Sequence, residues 1–249
     1  KPLLRPPNPN WALHIHGNDA LGEAGFPSPE ESPQPGESRH AALELVGRVM
    51  GSPGEITIVA LGRLTNVALA LSLEPRFAQS VARIVVMGGA VYVPGNVSPV
   101  ASANLYEDPE SAAIVYTSGA PLVQVGLDVC NKVHISQSQL EQIKQADTPT
   151  TRLLSAATPS LQRSYVERGL LVEGDGVRFN DLPAVAFMVD QDLFGCSEMF
   201  VEIEIHSSTA RGQTVAQHIG QGPGRPNVTV CLEVYGERAA ALFTERLIG

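Results

Sequence analysis

ITIVALGRLTNVALALSL, residues 56–73, decides the fold. Its first six residues are a continuous apolar run with β-branched side chains, the pattern of a strand buried on both faces. Gly62 breaks the run, and Thr65 starts an apolar helix that Pro75 ends. The same unit recurs downstream. RIVVM (83–87) is a second buried strand, ending in Gly88-Gly89. Asp108-Pro109-Glu110 opens a helix, with Asp as N-cap and Pro in the first turn. APLVQV (120–125) is a third buried strand. Upstream, ESRHAALELVGRVMG (37–51) places Ala42, Leu45, Val46 and Val49 on one helical face.

Helix and strand therefore alternate, which implies parallel strands joined by crossover helices: an open, mostly parallel α/β sheet with helices on both faces. Further along, 135–168 reads as two helices, 182–190 as a short one and 236–247 as the last. EMFVEIEIH (198–206) and NVTVCLEV (227–234) alternate as strands. Eight of the 19 prolines fall in the first 36 residues, around Trp11 and after GNDALGEAGF, and read as loop and extended chain. No domain boundary stands out, so residues 1–249 are expected to form a single domain.

Composition excludes several classes. The 249 residues are 43% hydrophobic and 17% charged, enough apolar material for a sizeable core. No apolar run reaches the length of about 18 residues that a membrane helix needs. The net charge is -9 and the basic residues are scattered, so nucleic acid is not an expected partner. Cys130, Cys196 and Cys231 form no CxxC pair. A disulfide scaffold and a cysteine zinc site are not expected, and a reducing, cytoplasmic location is.

In open α/β sheets, ligands bind beyond the C-terminal ends of the strands. The loops there are 62–66, 87–104 and 127–132. The 87–104 loop is the most informative. Gly88-Gly89 admits close approach of a ligand to the backbone. Asn96 and Asn104 supply amides that donate and accept, as sugar hydroxyls require. A glycine-rich turn whose asparagines satisfy their own backbone is an equally good reading.

Taken together, LGRLTNVALAL, RIVVMGG, GNVSPVASANLYEDPESAAIVY, GLDVC and FNDLPAVAF, in this order, resemble the inosine-uridine preferring nucleoside hydrolases. That family's pattern runs GPLTN, MGG, GN, AEFN with DPEAA, LDVT and HDPLA. HGNDALG (16–22) resembles its HG-x-x-GLG loop, and TARGQTV (209–215) its TRGMTV stretch. The resemblance covers nearly the whole chain. It implies hydrolysis of the bond between ribose C1′ and the base of a nucleoside through an oxocarbenium-like transition state. It also implies a Ca²⁺ that holds the sugar hydroxyls and a water, an aspartate as general base, and a dimer or tetramer.

Carried over by position, the resemblance makes Asp181 a metal ligand and Leu61 a metal ligand through its carbonyl. It places Met87 against the ribose, Asn96 and Asn104 on ribose hydroxyls, and His16 at the rim. Three departures stand against catalysis. The family's DxDxGxDD motif, which supplies two metal carboxylates and the base, is not in this chain; Asp190-Gln191-Asp192 reads as a surface turn. AEFN is ASAN here, so Ser102 stands for a sugar-gripping glutamate and Ala103 for an aromatic. The HD pair is Asn180-Asp181, and Asn180 can hydrogen-bond a base but cannot protonate it at neutral pH.

One carboxylate and one carbonyl leave most of the six to eight ligands of Ca²⁺ unprovided, so Ca²⁺ should bind weakly or not at all. The chain opens on Lys1, and the expectation is a truncated form of a longer protein that lacks its first strand and aspartate loop. As written it should be inactive. A non-catalytic nucleoside- or ribose-binding relative is the alternative. Among the remaining polar residues, Asp128 is expected to orient its loop through backbone N–H groups. Tyr165 is either a base-stacking or a core residue, and Cys130 a small buried one. The sequons at Asn96 and Asn227 are not expected to be modified.

Overall fold

The computed structural model describes residues 1–6, 12–19, 21–25, 39–217 and 224–249. The readings of Pro7, Pro9, Trp11, Pro27, Pro29, Pro33 and Pro35 lie outside these residues, as does Ala20 of the HG loop. In chain order the helices are α1 (Leu13–His16), α2 (Ala41–Gly51), α3 (Thr65–Leu73), α4 (Phe77–Ser80), α5 (Ala103–Tyr106), α6 (Pro109–Tyr116), α7 (Leu127–Cys130), α8 (Gln137–Gln145), α9 (Pro149–Glu167), α10 (Leu182–Val189) and α11 (Gly236–Ile248). The strands are β1 (Thr57–Ala60), β2 (Arg83–Met87), β3 (Leu122–Val125), β4 (Phe194–Ile203), β5 (Thr214–Gln217) and β6 (Val228–Val234).

The chain divides into two compact units. The first holds all six strands with α2–α7 and α10; the second holds α1, α8, α9 and α11.

In the first unit the strands lie in the order β1-β2-β3-β6-β4-β5. β1, β2, β3 and β6 are mutually parallel, while β4 runs antiparallel to β6 and β5 to β4. A parallel connection needs a crossover, which α3 with α4 supplies between β1 and β2, and α5 with α6 between β2 and β3. The mostly parallel α/β sheet read from the apolar runs is the one observed.

Strand alternation divides the core between the two faces of the sheet. Ile84 and Val86 point into one cluster with Leu64, Phe77, Leu105 and Tyr116. Val85 and Met87 point into the other with Val125, Leu127 and Phe187. Both sets are buried, which is why β2 reads as an unbroken apolar run. β1 departs from expectation: only Ile58 is buried, and its neighbours are half-buried. Among the described residues β1 pairs with β2 alone, so it sits at the edge of the sheet. β4 starts at Phe194, earlier than alternation indicates, because it pairs with β6 through a bulge at Gly195/Cys196. β5 was not legible: four residues are too few to show a period.

Local caps behave as their chemistry dictates. Asp108 accepts from the Ser111 N–H at the start of α6, with Pro109 in the first turn. α2 begins later than residue 37, at Ala41, where the His40 ring accepts from the Ala42 N–H.

In the second unit, α8 and α9 each open with a reciprocal capping box, Ser136 with Gln139 and Thr148 with Thr151. Phe179 and Phe243 pack with ring centroids 5.8 Å apart. Tyr165 is buried within this unit. Among the described residues, no helix is long and apolar enough to cross a membrane.

Candidate functional site

β1, β2 and β3 end in register, and the connections that leave their C-terminal ends build one hydrogen-bonded cluster. Asn104, in the first turn of α5, is its hub. The side-chain Nδ2 donates to the Leu61 carbonyl at 3.0 Å and to the Met87 carbonyl at 2.9 Å, and lies 3.1 Å from Met87 Sδ. One amide thus ties the end of β1 to the end of β2. The Oδ1 of Asn104 has no hydrogen-bond partner among the described residues. Asn104 is half-buried.

The loop between β2 and α5 is fastened at successive points. Gly89 adopts φ 89°, and a Cβ there would meet the Gln124 amide at 2.6 Å, so only glycine fits. The Gly89 N–H donates to Ser102 Oγ at 2.7 Å, and Ser102 is buried. The Ala90 N–H donates to Thr214 Oγ1 at 3.1 Å. Asp128, buried in α7, accepts from the Val91 and Tyr92 N–H groups at 2.9 and 2.8 Å, the loop-orienting role its position suggested. Asn96 Oδ1 accepts from the Ala103 N–H at 2.8 Å and so pins the start of α5.

Asn180 and Asp181 precede α10. Cys130 Sγ donates to the Asn180 carbonyl at 3.3 Å, which sets this segment against α7 at the end of β3. The Asp181 side chain makes no capping bond to α10 and opens to solvent on one side. The atoms packed around it still desolvate its carboxyl and raise it above the ordinary value of 3.8. His16 belongs to the second unit, where it is exposed at the end of α1. The structure thus brings Leu61, Met87, Ser102, Asn96 and Asn104 into one network, with Asn180 held to α7.

The residues present do not fit Ca²⁺. That ion takes six to eight oxygens, most of them carboxylates and carbonyls. Among the described residues, no three His, Cys, Asp or Glu side chains converge. The Leu61 carbonyl already accepts from Asn104, and both oxygens of Asp128 already accept backbone N–H groups. Asp181 remains as a single carboxylate. Asp190-Gln191-Asp192 is a surface turn, with Asp190 accepting from the Asp192 N–H at 3.0 Å.

The raised Asp181 carboxyl makes a pH prediction. The folded state binds this proton more tightly than the unfolded chain, so the ionised carboxyl lowers stability as pH rises through the folded value. Asp181→Asn should therefore raise Tm at pH 7, and the gain over the parent should fade once the pH falls below the ordinary value of 3.8. Parallel melts of the two proteins across pH read this directly; a lower Tm for the variant at pH 7 would show that a partner stabilises the ionised form.

Sequence reasoning missed the residues that support the loop from afar. Thr214 reaches Ala90 across 124 positions. Arg211 forms an ion pair with Glu110 of α6 at 2.6 Å and donates to the Ile205 carbonyl, joining the TARGQTV stretch to the crossover helix. The only sequence signal for either was that stretch itself. The Asn227 amide is fully engaged: it donates to the Tyr116 and Val201 carbonyls and accepts from the Val201 N–H. Its sequon is therefore a structural clamp.

Comparison with known proteins adds to this geometry. A family model described as inosine-uridine preferring nucleoside hydrolase matches residues 1–241. The chain is 32% identical over 248 residues to the pyrimidine-specific ribonucleoside hydrolase RihA of Klebsiella pneumoniae, covering 99% of this chain and 77% of that protein. It superposes on a plant nucleoside hydrolase, PpNRh1, with TM-score 0.87 and 33% identity, covering 95% of this chain and 74% of the other. For the purine-preferring ribonucleoside hydrolase of Gardnerella vaginalis the TM-score is 0.86 at 27% identity, with 96% and 73% covered.

Proposed function

Because the chain belongs to the inosine-uridine preferring nucleoside hydrolase family, we propose that its cluster at the ends of β1–β3 recognises the ribose of a ribonucleoside. The reaction of the family is hydrolysis of the N-glycosidic bond of a ribonucleoside to ribose and free base. The observation that carries the reading is Asn104. Its donor side is locked on two strand-end carbonyls, and its Oδ1 has no partner among the described residues. A sugar hydroxyl can donate to that oxygen, and the rigid amide loses little freedom in accepting it.

The loop clamps explain why such a site is preorganised. Asp128, Ser102 and Thr214 hold the backbone of 89–92, so this segment does not have to order on binding. Asn180 offers an amide to a base. It cannot deliver a proton to the leaving nitrogen at neutral pH. Among the described residues at the strand ends, Asp128 accepts backbone N–H groups through both oxygens, and Asp181 stands as a single carboxylate. Accordingly this chain, as it stands, binds nucleoside without cleaving it, and Ca²⁺ binds weakly or not at all.

Calorimetry with uridine and with inosine tests the reading, since one relative is named pyrimidine-specific and another purine-preferring. Saturable binding with no free base released, unchanged by millimolar Ca²⁺, is the expected result. Failure of both nucleosides to bind would remove the ribose-site reading. Release of free base that depends on Ca²⁺ would remove the claim of binding without turnover.

A further inference from the structure

The antiparallel pair β4 and β6 sets Cys196 directly opposite Cys231. Their Sγ atoms are 2.9 Å apart, although both are free thiols. Directly opposed residues share a face of the sheet, and the next rung confirms the register: Thr229 Oγ1 donates to Glu198 on the same face. Neighbouring opposed residues in such a pair have the Cα spacing that a disulfide spans, about 4.4–6.8 Å. Closing the bond asks the sulfurs to approach by less than an ångström, to about 2.05 Å.

The two thiols differ in access. Cys196 is exposed, on the part of β4 that precedes its pairing with β5. Cys231 is fully buried in the cluster that contains Met87 and Val125. The hydrogen bond from Cys231 holds the Cys196 thiol below its ordinary range, against the opposing charge of Glu198. The same bond, with burial, pushes the Cys231 thiol up. An exposed thiol that ionises first, beside a buried thiol in contact with it, is the arrangement of an attacking and a resolving cysteine. Cys130 lies in the same core cluster as Cys231, with its thiol engaged on the Val125 and Asn180 carbonyls.

We propose that Cys196 and Cys231 are a thiol–disulfide pair that a low-molecular-weight disulfide oxidises to a cross-strand link between β4 and β6. The Cys196 thiolate attacks one sulfur of the small disulfide, forming a mixed disulfide and expelling one thiolate. Cys231 then gives up its proton, and its sulfur displaces the second small thiolate from Cys196. Two protein thiols are oxidised by two electrons, one small disulfide is reduced to two small thiols, and the two protons pass to them. The link lies in the pleat row that runs Met87, Val125, Cys231, Cys196 across the sheet.

The test exposes the full chain to graded mixtures of reduced and oxidised glutathione, quenches with an alkylating reagent, and maps the peptides without reduction. The expected product is a peptide pair joined through Cys196 and Cys231, lighter by two hydrogens, with Cys130 alkylated and the link reversed by dithiothreitol. Cys196→Ser should abolish the link and leave Cys231 alkylated after unfolding. A stable glutathione adduct on Cys196 with Cys231 still free would overturn the proposal. So would a link through Cys130, or both thiols surviving the most oxidising mixture.

Discussion

Asp108→Ala should cost about 2–5 kcal/mol of stability, the sum of a lost helix cap at about 0.5–2 and buried donors left unmet at about 1–3. Asp108 is completely buried, and four donors from three segments converge on it. Thr65 Oγ1 at the start of α3 donates at 2.5 Å, and the Leu3 N–H at 3.1 Å. From α6, the Ser111 hydroxyl and N–H both donate. Alanine removes the cap of α6 and leaves the two buried Ser111 donors and the part-buried Thr65 and Leu3 donors without their acceptor. Each kilocalorie lowers Tm by roughly 2–4 °C in a protein of this size, so Tm should fall by about 10 °C. Asp108→Asn keeps the volume and one carbonyl oxygen, and should lose less. Urea unfolding of the three proteins side by side measures the series. A loss below about 1 kcal/mol for alanine would show that water replaces the carboxylate, and that the cluster does not hold α3, α6 and the N-terminal segment together.

Asn104→Ala should weaken nucleoside binding about tenfold or more, since a lost hydrogen bond of about 1.5 kcal/mol is worth that factor in Kd. Two effects add. The Oδ1 acceptor is removed, and the amide that joins the Leu61 and Met87 carbonyls is gone, so the ends of β1 and β2 lose their common fixture. Asn104→Asp separates them: it keeps an acceptor but turns a carboxylate oxygen toward two carbonyls, so it should lower stability more than alanine does. Ligand-induced shifts in Tm, measured with uridine and inosine against each variant's own unliganded Tm, distinguish a lost contact from a loosened fold. Unchanged affinity in Asn104→Ala would place the sugar elsewhere and leave the amide a purely structural tie.

Much of the frame around these residues was legible before any coordinates. RIVVM and the core of APLVQV read as buried strands because strands packed on both faces carry apolar residues at every position. Gln124 is the exception in β3: it is buried, with its side-chain oxygen accepting from Tyr116 Oη at 2.9 Å. Asp108-Pro109 marked the start of α6 because a side-chain cap and a fixed proline φ act within one turn. ITIVAL shows the limit of such reading. Its apolar run gave the strand, but its edge position, which leaves Val59 and Ala60 half-exposed, depends on what lies beside it.

The candidate site divides in the same way. Asn96, Asn104 and Asp181 could be singled out from motif order, and the aiming of Asn104 could not. Ser102 stood at the position of a sugar-gripping glutamate; in the fold its Oγ accepts from the Gly89 N–H. Sequence alone therefore determined the alternation of strands and helices and the family resemblance, because residue type, period and capping act over a few positions. The tertiary structure alone decided that Asn104 bridges two strand ends, that Thr214 and Arg211 brace the loop and α6 from more than 100 residues away, and that Cys196 meets Cys231 across 35. Those contacts depend on strand order and register, which arise only when distant segments bury their apolar faces together.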